Sequence, residues 1–107
     1  MIGSVMLDLV GPEISQEEKE LLAHPAVGGV IYFSRNYHDK AQLKELVRQT
    51  RLASKSPLLL AVDHEGGRVQ RFRSEFTLLP AMGQIWPGAN QDLALASSYA
   101  TEIAWLM

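Results

Sequence analysis

The stretch Asp63-His64-Glu65-Gly66-Gly67-Arg68-Val69-Gln70-Arg71-Phe72 concentrates groups that can do chemistry. It follows the apolar run Leu58-Leu59-Leu60-Ala61-Val62, which reads as a strand. In parallel α/β folds ligands gather at the carboxyl ends of strands, where loops and helix N-termini converge. A carboxylate at that edge, here Asp63, can accept hydrogen bonds from the hydroxyls of a polyol. The arginines close behind it can fix hydroxyls or a carboxylate in bidentate fashion. The paired glycines allow a sharp turn and a close backbone approach.

Three chemistries compete for Asp63 and Glu65. With strand geometry continued past Val62, the two point to the same side about 6.6 Å apart. That invites comparison with the carboxylate pair of a glycosidase, whose spacing decides between retention and inversion. A divalent metal is the second option, with His64 as a third donor, but such a donor set is thin. In the third, Glu65 pairs with Arg68 or Arg71 and holds the loop while Asp63 faces the ligand. We favour the third for Glu65 and a ligand role for Asp63. No metal or cofactor is expected.

The elements that must position these residues are legible. Ser4–Leu9 reads as a strand ended by Gly11-Pro12. Ser15 with Glu18 forms a capping-box pattern, Leu21 and Leu22 give that helix its apolar side, and Pro25 ends it near His24. Gly29–Phe33 is a second buried strand. Asp39 can cap the next helix with Gln42 at its third position, and Leu43, Leu46, Val47 and Thr50 fall on one face. Leu58–Val62 is the third strand, whose continuous apolar run predicts cover on both faces. The order β-α-β-α-β, with crossovers long enough for helices, predicts parallel strands, right-handed crossovers and an α/β fold.

Beyond the third strand the rhythm changes. Residues 65–90, with Gly66-Gly67, Pro80, Gly83 and Pro87-Gly88, predict a long functional loop with little regular structure. A final helix is expected from near Asn90 through Leu93, Ala96, Ala100, Ile103 and Ala104 to Met107. Its apolar last turn, Ala104-Trp105-Leu106-Met107, has no stop signal, which leads us to expect that the native chain continues. Trp105 at helical spacing reads as core, and Trp86 is the better candidate for stacking on a ligand. His24 reads as a capping or surface residue, and His38 as a loop residue without a catalytic part. Arg35 is a candidate pocket residue at the end of the second strand, or a partner for Asp8 or Asp63.

Composition narrows the class. The 107 residues are 47% hydrophobic and 21% charged, the balance of a globular domain. The net charge of −2, and arginines spread over loops and a helix, argue against nucleic acid as a partner. Disulfide and thiolate chemistry are excluded, because the chain has no cysteine. No run approaches the ~20 apolar residues that span a bilayer, so no membrane partner is expected. The first residues lack the pattern of a signal peptide, and a cytoplasmic location is expected.

Three ordered stretches carry a family resemblance. They are Val5-Met6-Leu7-Asp8, then His24-Pro25-Ala26-Val27-Gly28-Gly29-Val30-Ile31-Tyr32-Phe33-Ser34-Arg35-Asn36-Tyr37, and Ala61-Val62 through Phe72. Together they closely resemble the N-terminal signature of bacterial β-N-acetylglucosaminidases of the third glycoside hydrolase family. The resemblance implies the first three βα units of a (β/α)₈ TIM barrel, cut within the helix after the long third-strand loop, with residues 1–107 as an incomplete barrel domain. It implies removal of N-acetylglucosamine from peptidoglycan-derived muropeptides in the cytoplasm, with retention through a covalent glycosyl-aspartate. Asp63 and Arg71 match family positions that bind the N-acetylglucosamine unit; Arg35, His64, Glu65 and Arg68 are candidate pocket-lining residues. The family more often has Gln where this chain has His64. The family's Lys-His pair, acid/base histidine and Ser-Asp-Asp nucleophile segment have no match in residues 1–107, so no catalytic residue is expected here.

The implied substrate is a muropeptide or chitooligosaccharide-like glycan bearing N-acetylglucosamine. A three-strand piece would expose apolar edges and faces, so self-association is expected of the 107-residue chain. An alternative from another class is a non-catalytic sugar-binding or interaction module closed by oligomerised half-barrels. A metal-dependent hydrolase using Asp63, Glu65 and His64 is a third.

Overall fold

The computed structural model describes residues 2–107. The chain divides into two compact units, Met1–Asp63 and His64–Met107.

The first unit is β-α-β-α-β: β1 (Val5–Asp8), α1 (Gln16–Leu22), β2 (Val27–Tyr32), α2 (Lys40–Ala53) and β3 (Leu59–Val62). The strands form one parallel sheet in the order β1-β2-β3. Parallel pairing of β2 with β3 agrees with the sequence expectation; it sets Tyr32 opposite Val62. Central β2 is buried except at half-buried Ile31, and Val27, Val30 and Tyr32 anchor the core with Leu9, Ile14, Leu22 and Leu46. Each fully buried aliphatic side chain contributes roughly 1.5–3 kcal/mol.

Several boundaries shift for identifiable reasons. β2 starts at Val27, not Gly29, because Val27 already pairs with Val5 and Gly28 continues the strand. A Cβ on Gly28 would lie 1.8 Å from the Gly3 carbonyl oxygen, so only glycine lets these backbones approach. Phe33 leaves the strand because its amide N–H is taken by the Asn36 side chain. β3 is not covered on both faces: it is an edge strand, with Leu59 61% exposed and Val62 also exposed. On α1 only Leu22 of the two leucines is buried, whereas Leu21 faces outward.

The helix starts follow their caps. Ser15 and Glu18 form the reciprocal capping box. Asp39 accepts from the Gln42 amide at 2.8 Å, and the Gln42 side chain reaches back to the His38 amide, one residue beyond the usual box. Leu46 and Thr50 are the buried residues of α2, and the Thr50 hydroxyl donates to the Leu46 carbonyl at 2.8 Å.

The second unit is more regular than its glycines and prolines suggest. Within residues 65–90 a 3₁₀ turn, Met82–Gln84, leads into a one-turn helix, α3 (Ile85–Gly88). Pro87 is compatible with α3 because it sits in the first turn, where its missing N–H has no intrahelical partner to lose. The last helix, α4, runs Leu93–Leu106 and starts after Asn90 and Gln91, whose positive φ angles of 52° and 61° hold them outside it. The Asp92 side chain caps it through the Leu95 amide at 3.0 Å. Ala96 and Ile103 are its buried residues; Leu93, Ala100 and Ala104 are exposed. Trp105 is 86% exposed and is not a core residue.

Candidate functional site

The carboxyl edge of the first unit carries Asp8, Arg35 and Asp63. Asp63 follows β3 directly and is half-buried. Arg35 lies on the 3₁₀ turn Ser34–Asn36 after β2. Of the two partners expected for it, Arg35 takes Asp8, in an ion pair, while its Nε donates to the Leu9 carbonyl at 2.9 Å. The guanidinium also sits over the Phe33 ring, 4.9 Å from the centroid. Arg35 therefore organises strand ends, with its charge balanced by Asp8.

Beside it stands a residue that sequence reasoning passed over. Asn36 is fully buried. Its Nδ2 donates to the Leu9 and Gly11 carbonyls, both at 2.9 Å, and its Oδ1 accepts from the Phe33 amide at 2.8 Å. Gln42 adds bonds from Nε2 to the Pro12 and Asn36 carbonyls at 2.6 and 3.0 Å. From the other side, buried Glu18 accepts from the Val10 amide at 2.8 Å and the Ser15 amide at 2.7 Å. Burial raises the Glu18 pKa, but those amides and the Ser15 hydroxyl outweigh it and hold the carboxyl below its ordinary value. The available signal for Asn36 was an asparagine in a tight turn just past a buried strand, a type that bonds nearby backbone.

In the second unit the Gly66-Gly67 turn shapes the loop. Gly66 and Gly67 have φ of 81° and 57°. A Cβ on Gly66 would lie 2.1 Å from the Pro80 carbonyl oxygen, and one on Gly67 2.8 Å from the Ala81 Cβ. The Val69 carbonyl accepts from the Glu65 and Gly66 amides at 2.6 and 3.1 Å, and the Gly67 amide donates to the Leu79 carbonyl at 2.8 Å. Buried Gln70 completes the fastening: its Oε1 accepts from the Leu79 amide at 2.8 Å and its Nε2 donates to the Phe72 and Thr77 carbonyls.

This corrects the part expected of Glu65. Its side chain is exposed, and backbone bonds and Gln70 fasten the loop where the sequence leads one to expect Glu65 paired with Arg68 or Arg71. Arg68 is likewise exposed, Arg71 is half-buried, and the His64 ring packs edge-on against Phe72, with centroids 6.0 Å apart. Among the described residues no three His, Cys, Asp or Glu side chains assemble as a metal site. Trp86 is half-exposed at the start of α3. His24 is exposed, and its Nδ1 accepts from the Ala26 amide in the turn that leads into β2.

Each unit thus presents a tightly fastened loop, with polar side chains carried on backbone that has little freedom. The sequence over residues 3–107 matches the Glycosyl hydrolase family 3 N terminal domain. The chain belongs to glycosyl hydrolase family 3. It is similar to a beta-hexosaminidase of Tolumonas auensis, 55% identical over 99% of this chain and 30% of the relative. A beta-hexosaminidase of Photobacterium profundum is 58% identical over the same shares. Among solved structures, NagZ of Neisseria gonorrhoeae in complex with N-trifluoroacetyl-D-glucosamine superposes with a TM-score of 0.80 at 41% identity. The match covers 98% of this chain and 34% of that one. The chain spans about 30% of the length of the curated relatives it matches. The three-stranded parallel α/β arrangement matches the part of NagZ on which this chain superposes.

Proposed function

We propose that this chain forms the sugar-binding N-terminal part of a β-N-acetylhexosaminidase that removes terminal β-linked N-acetylglucosamine from muropeptides with retention of configuration. The observation that carries the reading is the run Asp63-His64-Glu65-Gly66-Gly67-Arg68 at the exit of a parallel strand, in a chain of family 3. In this reading the three strands are the first of a (β/α)₈ barrel. The Asp63 carboxylate accepts hydrogen bonds from sugar hydroxyls, and Arg71 is the second residue assigned to sugar binding. Retention requires a carboxylate that attacks the anomeric carbon and an acid that protonates the leaving oxygen; water then completes hydrolysis. Neither group is assigned to this chain, whose contribution is binding and orientation. The family resemblance supports the cytoplasm as the compartment.

The test is turnover of aryl β-N-acetylglucosaminide and aryl β-glucoside by the complete protein that carries this sequence. The N-acetyl substrate should be strongly preferred. Equal rates on both, or release from neither, would remove this reading. The oligomerised binding-module alternative finds no support among the relatives, which are named beta-hexosaminidases.

A further inference from the structure

Asn36 is buried without charge and without any contact that the proposed chemistry requires, yet its side-chain amide bonds three backbone groups of two different loops. Its Nδ2 bridges Leu9 and Gly11, which lie just past β1, and its Oδ1 holds Phe33, the first residue past β2. The register sets Tyr32 opposite Val62, so the residues that follow, Phe33 and Asp63, leave the sheet side by side. The exits of all three strands are therefore linked: β1 to β2 through the Asn36 side chain, and β2 to β3 through the ladder.

We infer that Asn36 is a positioning residue for the sugar site: it locks the loop after β1 to the turn after β2 and so fixes the edge from which Asp63 meets its ligand. This rests on the sugar-site reading above. The amide is suited to the task because it supplies two donors and an acceptor in one plane with no charge to desolvate. An aspartate of the same shape keeps the acceptor for Phe33 but turns the donors into an anion facing two carbonyls. Alanine removes all three bonds. Gln42 and Arg35 reach the same loop, through Pro12 and Leu9, and Gln42 also bonds the Asn36 carbonyl, but of the three only Asn36 is fully buried and holds the Phe33 amide.

The experiment measures KM and kcat for an aryl β-N-acetylglucosaminide, with melting temperature, in the complete protein. The variants are Asn36→Asp, Asn36→Ala and Leu22→Ala. Leu22 is buried at the end of α1, just before the chain turns into β2, so its truncation lowers stability at the opposite edge of the sheet. The Asn36 variants should raise KM about ten-fold with kcat within about three-fold of wild type, because misplaced binding loops weaken substrate capture. Leu22→Ala should leave KM unchanged despite its lower melting temperature. Should Asn36→Asp fail to fold, Asn36→Ala, which buries no charge, supplies the same comparison. A wild-type KM in the Asn36 variants, or an equal rise in Leu22→Ala, overturns the inference. A wild-type protein that releases no product overturns the sugar-site reading itself, and this one with it.

Discussion

The Arg35 guanidinium closes on the Asp8 carboxylate across the ends of β2 and β1, and its Nε donates to the Leu9 carbonyl at 2.9 Å. Both side chains are about half exposed, so the Coulombic part of the pair is screened by solvent and salt. Asp8→Ala should therefore cost only about 0.5 kcal/mol. Arg35→Ala also loses the Leu9 bond and the Phe33 contact, and should cost about 1–2 kcal/mol. Urea denaturation at low and high salt checks both. An Asp8→Ala loss that exceeds the Arg35→Ala loss contradicts this ranking.

The two glycines at Gly66 and Gly83 should answer alanine in opposite directions. Gly66 sits at φ 81° with the Pro80 carbonyl where a Cβ would go; Gly83 lies in a 3₁₀ turn with open space around it. Gly66→Ala should destabilise by about 2–4 kcal/mol, from positive φ plus the clash. Gly83→Ala should be neutral or stabilise by up to about 1 kcal/mol, through lost freedom of the unfolded chain. Tryptophan fluorescence is the readout, because Trp86 and Trp105 both lie in the second unit. A neutral Gly66→Ala would mean that the turn relaxes freely.

Glu18 makes stability depend on pH in a defined direction. Its carboxyl is held below the ordinary value of 4.5 in the folded state. A depressed folded pKa gives stability that is present above the unfolded value and lost as pH falls through the folded one. Unfolding free energy should therefore drop on acidification below about 4.5, and Glu18→Gln should make that drop shallower. Part of the slope should persist, since the Arg48 side chain beside Glu45 holds that exposed carboxyl at about 2 and the Gln42 amide lowers Asp39. Urea midpoints by circular dichroism between about pH 6 and 3 decide it. An unchanged slope in Glu18→Gln removes Glu18 from the account.

Much of this fold was legible from local rules. Ser15 with Glu18, and Asp39 with Gln42, announced their helices because capping needs only residues a few positions apart. The parallel order followed from crossover length alone. What stayed hidden depends on partners distant in sequence. Whether Gly28 ends a loop or sits in a strand is decided by the Gly3 backbone, and both donor bonds of Asn36 go to Leu9 and Gly11. Glu65 misled for the same reason: charge patterning suggested an ion pair, while the loop is closed by the Val69 carbonyl and Gln70. Trp105 followed helical spacing correctly but lies on the exposed side of α4.

The 107-residue chain, purified alone, should self-associate. Edge strand β3 presents Leu59 and Val62, β1 presents Val5 and Met6, and α4 presents Leu93, Tyr99, Trp105 and Leu106, all exposed. Unpaired strand edges and large apolar patches favour association. Sedimentation velocity at rising concentration should show species heavier than the 11.9 kDa monomer. A single monomer peak throughout would contradict this.

The sugar assignment of Asp63 and Arg71 is tested most directly by kcat/KM on an aryl β-N-acetylglucosaminide, with melting temperature, for Asp63→Ala, Arg71→Ala and Glu65→Gln in the complete protein. Hydrogen bonds to charged groups are worth roughly 1.5–3 kcal/mol, so the first two variants should lose about ten- to a few-hundred-fold. Glu65→Gln should change neither quantity by much, because its side chain is exposed and the loop is held by other bonds. Full activity in Asp63→Ala, with loss in Glu65→Gln at an unchanged melting temperature, would show that the ligand role belongs to Glu65.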